Sequence, residues 1–496
     1  MEETKNNLLE GINKEKYSIT CPYCFHKFYH SSVMFRSDSF YRNVKEMESE
    51  FGYTQIDIEM MGNAQERAKK LQEYRLREAY VPKPDKVYRD FWHKYSDVIT
   101  EPKKRKINPG DPDPWDMPIV DRLKMKKLIT DEDGFVVRCI DILGHESSSR
   151  ICPKCHNPLP LSYGKKPVKM ISIIGVTGSG KTVYISQLLK HIDEDVNKAG
   201  LSAFYLSSNE SDFVEHNKVA KNVPLPDSTA PGTLSQPMFY DIVQSINGFK
   251  NKEDTIVLYD IAGENCQTTT DENGITTSGA EKMIKFAPFV QNSNGIILLI
   301  DPKQLKFVEG DGDEKAPSEV LNTLHNVIAK EGHCKTPIAI CISKSDQCAS
   351  ILPEIASDDV QCSDADISGL PKCEFDGRTY NQLQQGLTEL MKKNANSVCQ
   401  KLNTQYERYN FFALSAIGCE AGNNGPIYEP SPKRIEEPIL WLFKQFGYIK
   451  SNAPVRVPFP SQKKIMVERK KSGLSGLLGG KEMVEETIDI RYEEDL

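Results

Sequence analysis

Gly175-Val-Thr-Gly-Ser-Gly-Lys-Thr182 stands directly behind the apolar run Met170-Ile-Ser-Ile-Ile174. A short unbroken apolar run reads as a strand buried on both faces, and the glycine-rich octet as the turn that leaves it. Glycines at 175, 178 and 180 open backbone conformations closed to residues with a Cβ, so successive amides, those of Thr177 and Ser179 among them, can point at phosphate oxygens. Lys181 adds a compact cation and Thr182 a hydroxyl suited to Mg²⁺. From Val183 onward, 183–192 has the length of a helix whose positive N-terminal end faces the same phosphates. With every fixed position filled, this is the spelling of a P-loop rather than of an ordinary glycine-rich turn.

Further apolar runs follow, several ending in chemistry. Thr255-Ile-Val-Leu-Tyr-Asp260 is a second strand with a carboxylate at its end, and Asp260-Ile-Ala-Gly263 has the Asp-x-x-Gly spacing. Asp260 is thereby expected near a Mg²⁺ shell, with the Gly263 amide placed to sense a γ-phosphate. Gly295-Ile-Ile-Leu-Leu-Ile-Asp301 reads as another strand of the same sheet. Pro337-Ile-Ala-Ile-Cys-Ile342 is followed by Ser343-Lys-Ser-Asp346. The Asp346 carboxylate there can accept from the ring N–H and the exocyclic amine of guanine, a pair adenine does not offer, while the Lys344 stem packs on the base. A last strand over 409–414 leads to Ser415-Ala-Ile-Gly418, where the amides of Ser415 and Ala416 can meet the guanine carbonyl.

These stations, in this order, resemble the GTPases of the Ras-like and translation-factor (TRAFAC) class over residues 168 to 447. The resemblance implies an α/β fold with a mostly parallel sheet flanked by helices, and GTP or GDP with Mg²⁺ at the carboxyl ends of the strands. It also implies switch segments that report the γ-phosphate. Two positions depart from the pattern. Ser343 stands where the class has Asn, shortening one side-chain tie between base loop and P-loop. Glu264 follows Gly263 where Ras-like proteins carry the Gln that orients the attacking water. Glu264 can act on that water or simply sit in a solvated switch, and slow turnover is expected. For the switch I threonine, the turn-rich stretch 225–235 offers Thr229 and Thr233, of which Thr233 is preferred; residues 268–280 are expected to form a mobile switch II.

A second constellation is metallic. Cys21-Pro-Tyr-Cys24 and Cys152-Pro-Lys-Cys155 are two Cys-Pro-x-Cys knuckles, together able to close a tetrahedral Zn²⁺ site. The gap between them far exceeds the ~15–20 residues usual in a ribbon. A shared site therefore requires a long insertion looping out of a small zinc ribbon, over about 40–130. Two redox pairs, two separate sites or buried free thiols are the alternatives, and no thioredoxin-like context surrounds either pair. His26 and His156 follow the knuckles but are not needed as ligands.

The remaining organisation is coarser. The expected division is 1–165 for ribbon plus helical insertion, 166–448 for the GTPase and 449–496 for an extension ending in a β-hairpin. Ala64-x-x-x-Ala68-x-x-Leu71 has helical spacing, and Tyr88, Phe91, Trp92 and Tyr95 cluster further on. Lys103-Lys-Arg-Lys106 is read as a solvated basic run. The net charge of -7 argues against general attraction to nucleic acid, which stays a possible but disfavoured partner. Thirteen cysteines, an odd number, point to a reducing compartment rather than a disulfide framework. Neither a leader-like start nor a run of about 20 apolar residues is present, so cytoplasmic location is expected, without a membrane span.

The ribbon ahead of the GTPase and the Glu437-Pro-Ile-Leu-Trp441 helix behind it resemble bacterial double-GTPase-like proteins, which implies protein partners without naming them. Three functions follow as expectations. The first is a GTP-binding, GTP-hydrolysing switch acting through partner proteins. The second is a nucleotide-dependent scaffold with little turnover, and the third a zinc-ribbon nucleic-acid binder gated by nucleotide.

Overall fold

The computed structural model describes residues 11–94, 112–226, 234, 236–246, 250–270, 274, 276–329, 332–356, 374–419, 429–470 and 481–496. The chain divides into two compact units, Met1–Val168 with Gly232–Phe239, and Lys169–Pro231 with Tyr240–Leu496.

In the first unit, short strands Ser18–Thr20 and Lys27–Tyr29 pair antiparallel and carry the first cysteine knuckle between them. Met34–Arg36 pairs antiparallel with both Ile119–Val120 and Ser149–Ile151. That last pairing, Met34 opposite Ile151, brings the chain back to the start of the second knuckle and lets everything between loop out. The helices of the looped-out stretch are Val44–Phe51, Gln55–Glu59, Ala64–Glu78 and Lys86–His93. Each begins where its sequence permits: Asn43, Thr54, Asn63 and Asp85 accept hydrogen bonds from first-turn amides. Met47, Ile58, Tyr74 and Tyr80 are buried. Helix does not continue to residue 130. Met125–Thr130 is a strand, paired antiparallel with Val136–Asp141, which in turn pairs with Glu146–Ser147. The basic run 103–106 lies outside the described residues.

The second unit is built on a seven-stranded sheet. Its strands are β1 Val168–Gly175, β2 Leu201–Tyr205, β3 Met238–Ile246, β4 Lys250–Ile261, β5 Gly295–Ile300, β6 Ile338–Ile342 and β7 Tyr409–Ala413. The order across the sheet is β2-β3-β4-β1-β5-β6-β7. β5 runs parallel to β1 and to β6, with Ile297 opposite Ile173 and Ala339, and β6 runs parallel to β7. β2 is an antiparallel edge on β3. Every residue of β5, β6 and β7 is buried, as expected of parallel strands covered on both faces. The covering helices are α1 Lys181–Lys198, α2 Asn209–His216, α3 Gly279–Phe286, α4 Ala316–Ile328, α5 Gly377–Asn394, α6 Asn396–Gln405 and α7 Glu437–Gln445. This is the α/β, mostly parallel, helix-flanked architecture that the motifs implied.

The extension belongs to the same unit. Arg456–Lys470 (β8) and Lys481–Tyr492 (β9) pair antiparallel. Its base is clamped by one carboxylate, Glu493, whose side chain is only 7% exposed. Glu493 accepts hydrogen bonds from Asn410 Nδ2 on β7 (2.8 Å) and from Trp441 Nε1 (2.7 Å), Lys444 Nζ (2.8 Å) and Gln445 Nε2 (2.8 Å) on α7. A buried carboxylate is tolerated only when its lone pairs are filled in this way, and each such charged bond contributes roughly 1.5–3 kcal/mol. Among the described residues, no helix is long and apolar enough to cross a membrane.

Candidate nucleotide site and cysteine cluster

β1 ends at Gly175, and α1 begins at Lys181 with Gly180 in the left-handed region (φ 73°) as its N-cap. Gly178 also has positive φ, at 82°. The chain thus turns tightly between strand and helix, and the octet wraps a cavity of about 280 Å³. It is lined by residues 175–183, Leu225, Pro226, Ala262, Gly263, Glu264 and Lys344. Small-ligand sites begin at roughly this size.

Lys181 and Asp260 are both buried and joined by an ion pair between Nζ and Oδ1. Thr182 is the second residue of α1 and lines the same cavity. Asp260 lies near the end of β4, so the P-loop lysine and the strand-end carboxylate meet across adjacent strands. Gly263 approaches the P-loop so closely that a Cβ on it would overlap the Gly175 carbonyl oxygen, which explains glycine at the end of Asp-x-x-Gly. Glu264 lies on the cavity wall and accepts from Thr177 Oγ1 at 3.3 Å. Ser179 Oγ is buried within the loop without a hydrogen-bond partner, a polar atom suited to a phosphate-bearing ligand.

Of the residues expected to read the base, Lys344 lines the cavity. Lys344, itself in the left-handed region (φ 50°), sends Nζ to the Gly178 carbonyl at 2.7 Å and to Asp301 Oδ2 at 2.6 Å. This lysine makes the tie between base loop and P-loop that the Ser343 substitution appeared to weaken in sequence; Ser343 Oγ instead donates to the Ile300 carbonyl at 3.1 Å. Asp346 accepts from Ser415 Oγ, which in turn accepts from the Gly418 amide at 2.9 Å. Ala416 packs with Ile417 and Cys419 against Val183 and Val219. Asp346, Ser415 and Ala416 are therefore brought together, but they are not walls of the cavity itself. Thr229 and Thr233 lie outside the described residues.

Two participants carried no role in the sequence reading. Asp301 holds Lys344, and Gln304 Nε2 donates to the Thr177 carbonyl at 3.2 Å. The signal for Asp301 was available, since it ends an apolar strand as Asp260 does. Over 268–280, the pairs Thr269 opposite Thr277 and Thr270 opposite Thr276 form a small antiparallel turn, and Ser278 with Glu281 makes a capping box that starts α3. Residues 271–273 and 275 lie outside the described residues.

The four knuckle cysteines converge in the first unit. Their sulfurs all lie within 4.8 Å of one another, with Cys21 to Cys155 at 3.6 Å and Cys24 to Cys152 at 3.7 Å. A Zn–S distance of about 2.3 Å in a tetrahedron requires sulfurs about 3.8 Å apart, so the cage fits that ion. The two knuckles repeat one geometry. The amides of Tyr23 and Lys154 each donate to the first sulfur of their knuckle at 3.4 Å. Phe25 and His156 each adopt positive φ (55° and 56°), and each bonds back to the carbonyl of Cys21 or Cys152 at 3.0 Å. Burial pushes the Cys21 thiol up, while hydrogen bonding to Cys152 pulls Cys24 down. His26 stacks on Phe28, and His156 Nδ1 bonds Asp85 at 3.0 Å. Neither histidine belongs to the four-sulfur cluster. The inserted helix Lys86–His93 braces the second knuckle, through Asp85 to His156 and through Trp92 Nε1 to Asn157 Oδ1 at 3.0 Å.

The strand order, the loop between β1 and α1 and the stations on the neighbouring strands define a P-loop GTPase domain. Residues 169–395 match the family described as Double-GTPase 2 (DO-GTPase2). A protein of Mycolicibacterium smegmatis provisionally named ESX-1 scaffolding and assembly protein SaeC is 20% identical over 320 residues, spanning 60% of this chain and 80% of that one. Among solved structures, the S. cerevisiae Ski7 GTPase-like domain bound to GTP is 14% identical, covers 62% of this chain and 56% of its own, and has a TM-score of 0.27. The G domain of the T. maritima FeoB iron transporter is 12% identical over 37% of this chain and 77% of that chain, with a TM-score of 0.18. Roco2 RocCORdC of Methanosarcina barkeri bound to GDP is 13% identical over 59% and 51%, with a TM-score of 0.23. This chain thus spans little more than half of the Ski7 and Roco2 chains.

Proposed function

We propose that this protein is a GTP-binding switch with hydrolytic capacity that acts through protein partners. The observation that carries the reading is the convergence of Lys181, Thr182, Asp260, Gly263 and Lys344 on or beside one cavity whose floor is the P-loop. In this reading the P-loop amides and Lys181 hold the phosphates, Thr182 and Asp260 hold Mg²⁺, and Asp346 with Ser415 and Ala416 reads guanine. Bound Mg²⁺ would neutralise phosphate charge. In its presence the Lys181 ammonium has two anionic partners to choose between, Asp260 and the phosphates, so nucleotide entry exchanges one ion pair for another. Gly263 and Thr233 would sense the γ-phosphate, and its loss would release the segments that hold it.

Glu264 is the residue on which hydrolysis turns. A carboxylate facing the γ-phosphate end can take a proton from, or orient, an attacking water, a contribution of about 100-fold or more. Glu264→Ala, which leaves no side chain to take a proton from water or to orient it, is therefore expected to lower single-turnover phosphate release about 100-fold while leaving GTP affinity unchanged. An unchanged rate removes Glu264 from catalysis. If the unaltered protein binds GTP yet releases no phosphate, the second reading holds: a nucleotide-dependent scaffold, which the name of the mycobacterial relative favours.

A further inference from the structure

From Ser461 outward, the β8–β9 ribbon turns both strands to solvent, with Met466 58% and Met483 57% exposed. Its register places Val467 opposite Val484, Ile465 opposite Glu486 and Lys463 opposite Ile488. Residues directly opposite share a face. One face is thus an aliphatic stripe of Ile465, Val467, Val484 and Ile488, each only half-buried, continuing into the fully buried Ile490 at the base. A two-stranded sheet cannot cover its own apolar face and is at best marginally stable alone.

The charges on the ribbon say what covers it. Alternate residues of a strand share a face, so the charges beside the stripe are Lys463 on β8 and Glu486 on β9. The ribbon is therefore self-complementary. A two-fold axis running along it lays β8 of one copy over β9 of the other, Lys463 toward Glu486 and aliphatic stripe against aliphatic stripe. A two-fold across the ribbon would instead set β8 on β8 and β9 on β9, without pairing Lys463 with Glu486. We propose that the aliphatic face of the β8–β9 ribbon is a homodimer interface, its occupant a second copy of this chain in that axial arrangement. A strip this narrow buries about 1,000 Å² or less in total, which sets the association in the weak, micromolar range.

Sedimentation velocity on the full chain across about 1–100 µM tests it. The expected result is a concentration-dependent monomer–dimer equilibrium. Val467→Asp, at a half-buried ribbon position far from the anchored base, is expected to weaken it about 100-fold, because each dimer then buries two carboxylates. Lys463→Glu and Glu486→Lys are expected to weaken it about tenfold each when alone. An equimolar mixture of those two variants restores association, since in the mixed dimer each reversed charge meets its opposite. Far-ultraviolet circular dichroism confirms that each variant is folded. A monomer at every concentration overturns the proposal, whatever other surface then covers the stripe. So does a dimer indifferent to all three substitutions, or a mixture no tighter than its components.

Discussion

Lys181→Ala is expected to raise the dissociation constant for GTP about 1,000-fold while leaving the fold intact. The ammonium is a buried point charge on the glycine-rich turn that lines the cavity. At an effective dielectric constant of about 20, one unit charge 4 Å from another is worth about 4 kcal/mol, or three decades of affinity. The substitution also leaves the Asp260 carboxylate beside the incoming phosphates without the cation it now holds, which adds repulsion to lost attraction. Calorimetric titration measures the affinity, and a thermal melt by circular dichroism verifies the fold. A variant that binds GTP within about threefold of the unaltered protein would remove the P-loop from nucleotide binding.

Replacing Cys21 and Cys152 together by serine is expected to abolish stoichiometric zinc and unfold the first unit around it. One sulfur is lost from each knuckle, and no tetrahedral set remains. Structural zinc supplies on the order of 10 kcal/mol or more, comparable with the whole stability of a small domain. The damage is expected to spread into the insertion, because Asp85 and Trp92 of the helical lobe are held by His156 and Asn157 of the second knuckle. Metal analysis reads the first effect, and loss of the Trp92 fluorescence environment on chelation reads the second. Zinc that stays at one per chain in the double variant contradicts a site shared by the two knuckles.

The sheet was legible because its central strands are buried on both faces and so appear as unbroken apolar runs, each leading into a motif of fixed spacing. β2 was not: Phe204 and Tyr205 are exposed, the strand is short, and its pairing with 240–244 depends on a partner some forty residues away. The Glu493 clamp was equally invisible, since its donors at 410, 441, 444 and 445 are distant in sequence and individually unremarkable polar residues. The reach of helix in the insertion was overestimated because Met125–Thr130 has charged residues at two of its six positions and shows its strand character only through its pairing with Val136–Asp141. At the site, motif spelling named most of the residues around the cavity. It did not reveal that Lys344 replaces the missing Asn as the tie to the P-loop, because that contact is set by backbone geometry at a single left-handed residue.

Under the proposed function one pocket takes guanosine triphosphate. Its most direct test is a calorimetric panel of GTP, ATP and xanthosine triphosphate with Mg²⁺, run on the unaltered chain and on Asp346→Asn. The unaltered chain is expected to bind GTP and to discriminate against ATP, and the variant to lose its preference for GTP over the xanthine nucleotide, whose 2-carbonyl an Asn amide can meet. Folded protein that shows no binding of GTP up to millimolar concentration, or a variant that keeps its preference for GTP, contradicts it.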